Sequence, residues 1–152
     1  MSKLTRTTAL LIGTILMVAT ACSSASTPSA GDTGPAASDT SADATIDVTI
    51  TDSSLDLGSD SISAGKVTFD ATNDGQMTHE FEVFQADVDP ADLPIENNVA
   101  NTEGMTLMGE AEDIVPGSTR SLPLDLAAGS YIIMCNLPGH FAMGLHSTLT
   151  VT

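Results

Sequence analysis

The sequence has no tryptophan and one tyrosine, Tyr131, and aromatic residues make up only 3% of its 152 positions. Stacking platforms for bases or sugars are therefore poorly supplied, and any folded domain must be packed largely from aliphatic side chains. Positive charge is also scarce: four Lys and Arg stand against 20 Asp and Glu, a formal net charge of −16. Phosphate backbones are bound by clustered Lys and Arg, so nucleic acid is excluded as a partner. Cysteine occurs twice, at Cys22 and Cys135, which is too few for a disulfide framework. There is no Gly-rich phosphate loop, Gly-x-Ser-x-Gly elbow or His-Glu-x-x-His helix motif.

The N-terminal segment is organised for export. Lys3 and Arg6 precede an apolar run, Ala9 to Ala19, too short to span a membrane, and residues 1–21 read as a secretory signal peptide. The run ends in Ala19-Thr20-Ala21-Cys22, which resembles a bacterial lipobox with Ala19 where Leu is commoner. That resemblance implies cleavage before Cys22, a diacylglyceryl group on it, and lipid anchoring of the chain to the outer face of the cell membrane. The alternative is a secreted protein cut near Ala21, with Cys22 a free thiol. Residues 22–44 are Ser, Thr, Ala, Gly, Pro and Asp after the cysteine, without a large apolar side chain, and are expected to form a disordered tether. Cleavage leaves Lys66 and Arg120 as the remaining basic residues, which disfavours electrostatic attraction to anionic lipid.

Residues 45–152 suit one small domain. Thr45–Ile50, Lys66–Thr72, His79–Phe84, Ser121–Leu126, Gly129–Cys135 and His146–Val151 alternate apolar and polar residues and are bounded by turn signals such as Asn73-Asp74-Gly75. Pro123 suits an edge or a bulge. The expected fold is all-β, an antiparallel β-sandwich of about seven or eight strands. Residues 85–109, with Pro90, Pro94, Gly104 and three Asn, interrupt the rhythm and predict a long excursion with one helical turn around Ala91 to Leu93.

Chemistry concentrates in Cys135-Asn136-Leu137-Pro138-Gly139-His140. A thiolate and an imidazole five positions apart, joined by a Pro-Gly loop, can turn toward one ion, and this soft donor pair suits copper or zinc. His79 lies on the inward face of its own strand, 56 positions before Cys135, where a sandwich can bring it beside the loop. Two His and one Cys with a weak axial ligand is the donor set of blue-copper sites. An unpaired thiol in an exported chain is itself prone to oxidation unless a metal protects it. Alone, a His on an apolar face is usually a packed residue and a single Cys a structural thiol; the joint pattern carries the reading.

At these residues the chain resembles the cupredoxins, in particular their bacterial auracyanin-like and sulfocyanin-like members. The resemblance spans nearly all of residues 45–152 and is densest in Met77-Thr78-His79-Glu80 and Tyr131 through Val151. It implies a Greek-key sandwich, one type 1 copper ion, and His79, Cys135 and His140 as equatorial ligands. Relatives commonly carry Met five positions after the loop His. Here Leu145 stands there as a non-coordinating axial residue, while Met143 is the alternative axial ligand. Glu80 replaces an Asn that ties the two ligand segments in many relatives, and Asn136 is placed to restore the tie by donating its amide to Glu80; an exposed Glu80 is the other possibility.

The resemblance further implies a one-electron carrier outside the cytoplasmic membrane, not an enzyme. Its exposed His140 edge would be ringed by Leu137, Pro138, Phe141, Met143 and Leu145. The acidic surface calls for a redox partner with a basic docking face, a cytochrome or a respiratory oxidase. The alternative function is a copper chaperone or buffer, with Met105, Met108 and Met143 as transient copper(I) donors. A metal-free interaction module is a third. His146 shares parity with Thr148 and Thr150 and reads as an outward strand residue; Met77 and Met134 read as packing. Asp52, Asp56 and Asp60 read as a solvated acidic edge, since Gly58 does not fit a calcium loop.

Overall fold

The computed structural model describes residues 43–152; the expected signal peptide, Cys22 and all of the expected tether but Asp43 and Ala44 lie outside the described residues. The strands are β1 (Ala44–Ile50), β2 (Leu55–Leu57), β3 (Ser61–Ile62), β4 (Gly65–Asn73), β5 (His79–Gln85), β6 (Ile95–Glu96), β7 (Val99–Ala100), β8 (Thr106–Ile114), β9 (Thr119–Leu126), β10 (Gly129–Met134) and β11 (His146–Val151). One sheet has the order β2-β1-β4-β9 and the other β3-β11-β10-β5-β8, while β6 and β7 form a separate small hairpin. Among the described residues no helix is long and apolar enough to cross a membrane.

Alternation determines which side chains meet. Ile46, Val48 and Ile50 of β1 and Val67, Phe69 and Ala71 of β4 are buried, while the residues between them face outward. Phe81, Val83, Tyr131, Ile133, Leu149 and Val151 supply the opposing face. The sheets meet at Phe69 and Phe81, whose ring centroids are 5.4 Å apart at 48°, an inclined pairing that favours aromatic contact. Tyr131 keeps its ring in this core and donates its hydroxyl proton to the Ala127 carbonyl at 2.8 Å.

The sandwich departs from a wholly antiparallel arrangement. β1 runs parallel to β4, with Ile46 opposite Phe69 and Val48 opposite Ala71, and β3 runs parallel to β11. A parallel pair needs a crossover instead of a hairpin, and residues 51–64 supply it between β1 and β4. Pro123 lies on β9, at the edge of its sheet, where the missing amide proton breaks no ladder.

The expected excursion over residues 85–109 is shorter, because β8 begins at Thr106. Its pairing with β5 slips between His79 and Phe81 and again between Val83 and Phe84. Each bulge shifts the parity of one strand against the other, which breaks the alternation that would reveal β8 in the sequence. The helical turn is present, as a 3-10 turn over Pro90–Asp92 capped by Asp89. The excursion covers the outer face of the β10–β5 region, where Leu93, Ala100 and Met105 pack with Phe84, Ile132, Met134 and Phe141.

Beside this cover the outer face is acidic. Glu82 lies opposite Glu110 across β5 and β8, and its Oε2 is buried without a hydrogen-bond partner. Burial first, then the charges of Glu80, Glu110 and Glu112, push the Glu82 carboxyl up to about 7 from 4.5. The folded chain therefore holds a proton that the unfolded chain releases between these values, so the associated stability is complete below the lower one and lost as pH rises through the upper one. Glu82→Gln is expected to flatten this dependence and to stabilise the protein above neutral pH by roughly 1 kcal/mol, allowing for solvent screening. Urea unfolding on either side of neutrality measures it; an unchanged pH dependence contradicts the assignment.

Candidate metal centre

Strand pairing brings the two halves of the centre together. β10 pairs with β5 up to Met134 opposite Glu82, so continuing one residue delivers Cys135 alongside the start of β5, where His79 stands. The chain then turns through Pro138 and Gly139, the latter at φ 91°, and His140 caps a 3-10 turn over Phe141–Met143. Gly144, at φ 100°, ends that turn and feeds β11. A left-handed conformation is inexpensive at glycine.

His79 and Cys135 are completely buried and His140 is half-buried. His79 Nδ1 lies 3.1 Å from His140 Nδ1, and Cys135 Sγ lies 3.3 Å from His140 Nδ1 and 3.8 Å from His79 Nδ1. A triangle with these sides is acute, and its centre is about 2.0 Å from every corner, the length of a metal–nitrogen bond and slightly short of a metal–sulfur bond. One thiol and two imidazoles in this arrangement fit a soft or borderline ion in trigonal coordination.

The surrounding hydrogen bonds hold this triangle in place. The Glu80 N–H donates to Cys135 Sγ at 3.4 Å, and Asn136 N–H donates to Glu80 Oε1 at 2.9 Å. Glu80 thus ties the two segments together, but through the Asn136 backbone instead of its side-chain amide. That side chain clasps the excursion: its Oδ1 accepts from Ala100 N–H at 2.7 Å, and its Nδ2 donates to the Ala100 carbonyl at 3.1 Å. Gly139 N–H donates to the Asn98 carbonyl at 2.7 Å. The β6–β7 hairpin, turning through Asn97 and Asn98 at φ 52° and 68°, is therefore a bracket for the Cys–His loop. Sequence reasoning missed this role; an Asn-Asn pair able to take two positive φ values was its signal.

On the other side, buried Asn73 organises the loop that leads to His79. Its Nδ2 donates to the Met77 and Ile114 carbonyls, both at 2.7 Å, and its Oδ1 accepts from Gly75 N–H at 2.8 Å. Asp52, expected on a solvated acidic edge, keeps its side chain 37% exposed and is also tied to the loop that leads to His79. Its Oδ1 accepts from Gln76 N–H at 2.8 Å and Met77 N–H at 3.0 Å and lies 3.3 Å from His79 Nε2. The Met77 and Gln76 amides hold its carboxyl below the usual range. Sequence position gave no hint of this, because the contact spans 27 residues between two loops.

Burial dominates the electrostatics at Cys135 and His140. Burial, only partly opposed by the Glu80 and Leu137 amides, pushes the Cys135 thiol up, and the charges of Glu80 and Glu82 add to the rise. Burial and the neighbouring His79 push His140 down. Burial likewise raises Glu80 against the Asn136 hydrogen bond.

Of the two axial candidates, Leu145 is fully buried in the same cluster as Cys135, and its carbonyl accepts from Cys135 N–H at 2.9 Å. Met143 is 44% exposed. Phe141 and Leu145 are buried and do not belong to an exposed ring around His140, which is left to Pro138, Ala142 and Met143 with half-buried Leu137. His146 stands apart from the triangle and stacks on Phe141 at 4.6 Å. Met105 packs in the outer cluster and Met108 against the main core, so they present no shared thioether site.

No protein-family model matches the chain, and neither does any curated protein sequence. Solved structures do match. An auracyanin from the photosynthetic bacterium Roseiflexus castenholzii is 18% identical with a TM-score of 0.54, over 73% of this chain and 98% of that one. Auracyanin A, a "blue" copper protein from Chloroflexus aurantiacus, is 20% identical with a TM-score of 0.54, over 73% and 100%. Rusticyanin from Thiobacillus ferrooxidans is 18% identical with a TM-score of 0.54, over 73% and 79%. A sandwich of this topology, matched along nearly the whole length of the two auracyanins, has the cupredoxin fold.

Proposed function

We propose that this protein is a type 1 copper protein that carries single electrons outside the cytoplasmic membrane and catalyses no reaction of its own. The convergence of His79 Nδ1, His140 Nδ1 and Cys135 Sγ around one point carries this reading, supported by the fold shared with a protein described as a "blue" copper protein. Copper bound there would take up and give back one electron by changing oxidation state. The chain would contribute the thiolate and two imidazoles, with the Glu80 N–H behind Cys135 Sγ and Asp52 behind His79 Nε2. Leu145, buried beside Cys135, would leave hydrocarbon in the axial direction, and a rigid sandwich would limit rearrangement between oxidation states.

The half-buried edge of His140, rimmed by Pro138, Ala142 and Met143, is the proposed port for the electron. It suits brief contact with a partner. The excess of acid over base, 20 residues against four, supports a partner with a basic docking face, such as a cytochrome or respiratory oxidase. Location rests on residues 1–21 and on Cys22 as a lipid anchor. Copper delivery is the weaker alternative, because the donors are buried and Met105 and Met108 serve packing.

Adding copper(II) to the purified protein is expected to give an intense thiolate-to-copper band in the red and a narrow copper hyperfine splitting, both abolished by Cys135→Ser. A pale spectrum with ordinary splitting, or no binding, overturns the proposal. Leu145→Met is expected to lower the reduction potential, since an added thioether favours copper(II); an unchanged or higher potential in voltammetry would sink the axial assignment.

A further inference from the structure

We infer that Asp52 is a positioning residue of the metal centre: its carboxylate holds His79 in the tautomer protonated on Nε2, which leaves the Nδ1 lone pair for the metal. A neutral imidazole carries its proton on one nitrogen, and the partner of the other nitrogen decides which. His79 is wholly buried, so solvent does not compete for that choice. Asp52 Oδ1 is the polar atom facing Nε2, at 3.3 Å, and an ionised carboxylate can only accept. Placing the proton on Nδ1 would set two lone pairs against each other at Asp52 and would block the point between His140 Nδ1 and Cys135 Sγ. Loss of a carboxylate partner behind a ligating imidazole typically weakens metal binding about 10–100-fold.

Asp52 is built into place. Its Oδ1 is pinned by Gln76 N–H and Met77 N–H, which belong to the loop that delivers His79. Gly75 leaves it room, because a Cβ there would meet Asp52 Oδ1 and force the carboxylate to shift. The Asp74 N–H bond to the Ile50 carbonyl, at 2.8 Å, fastens that loop to the end of β1, two residues from Asp52. Asp52 therefore reports the position of one ligand loop to another part of the sandwich.

The consequence for binding rests on the copper reading, whereas the tautomer is testable without metal. In the metal-free protein with neutral imidazoles, nitrogen-15 spectra of the histidine rings are expected to show His79 protonated at Nε2. Asp52→Leu is expected to lose that preference and to weaken copper(II) about 10–100-fold. Asp52→Asn keeps an oxygen acceptor and the shape of the loop. It is expected to retain the tautomer, while the missing charge raises the reduction potential. A bare Nε2 in the wild type overturns the proposal, as does a tautomer unmoved in a folded Asp52→Leu protein. Should Asp52→Leu not fold, an Asp52→Asn protein with wild-type potential overturns it instead. A protein that binds no copper but shows the Asp52-dependent tautomer would refute the copper reading alone; a blue protein indifferent to Asp52 would refute this inference alone.

Discussion

Two hydrogen bonds that run in opposite directions hold the centre together. Glu80 gives its amide proton to Cys135 Sγ and takes one from Asn136 into its carboxylate. The sheet pairing of β5 with β10 ends just short of these residues, so the exchange continues the ladder through side-chain atoms past the point where the loop leaves it. A hydrogen bond to a charged group is worth about 1.5–3 kcal/mol, enough to keep the segments bearing His79 and Cys135 in one relation. The remaining supports arrive from separate directions: the excursion through Asn98 and Ala100, the β4 end through Asn73, and the first turn through Asp52.

The charge pattern gives this arrangement its chemical consequence. Both basic residues of the described part, Lys66 and Arg120, are on the β4–β9 side of the sandwich, away from the donors, while Glu80 and Glu82 raise the thiol further. Among the described residues the Glu80 and Leu137 amides favour a thiolate at Cys135 but do not outweigh its burial, so a bound cation would stabilise it, and the proton would leave as the metal enters. The same carboxylates oppose anions at this face. A pocket preset in shape, with one thiol and two imidazoles converging on a point, suits a cation with soft-donor preference.

Much of this was legible from residue spacing. The strands of the core follow alternation that survives in β1, β4, β5 and β11, while β10 is apolar and buried on both faces from Tyr131 to Met134, and Cys135 and His140 stand in a loop whose Pro-Gly forces them together. Other features depend on long-range register. β8 was hidden by two bulges that change parity, and parallel pairing of β1 with β4 leaves no local trace because the crossover, not a turn, defines it. Asp52 looked like surface charge, since neither its neighbours nor its spacing refers to His79. Asn136 was placed next to Glu80 for its side chain, yet the backbone amide makes the bond and frees the side chain to bind Ala100. Phe141 leaves the exposed rim because the 3-10 turn over Phe141–Met143 packs it in the outer cluster, and Leu145, just after that turn, shares the inward parity of Leu149 and Val151 and enters the main core.

The fold, not the ion, determines the donor geometry. X-ray absorption at the copper edge, recorded on the loaded protein in both oxidation states, tests it most directly. One sulfur and two nitrogen scatterers, in the same number and with nearly the same distances before and after reduction, are expected. Loss of a nitrogen, gain of a ligand, or absence of the short sulfur contact in either state would contradict it.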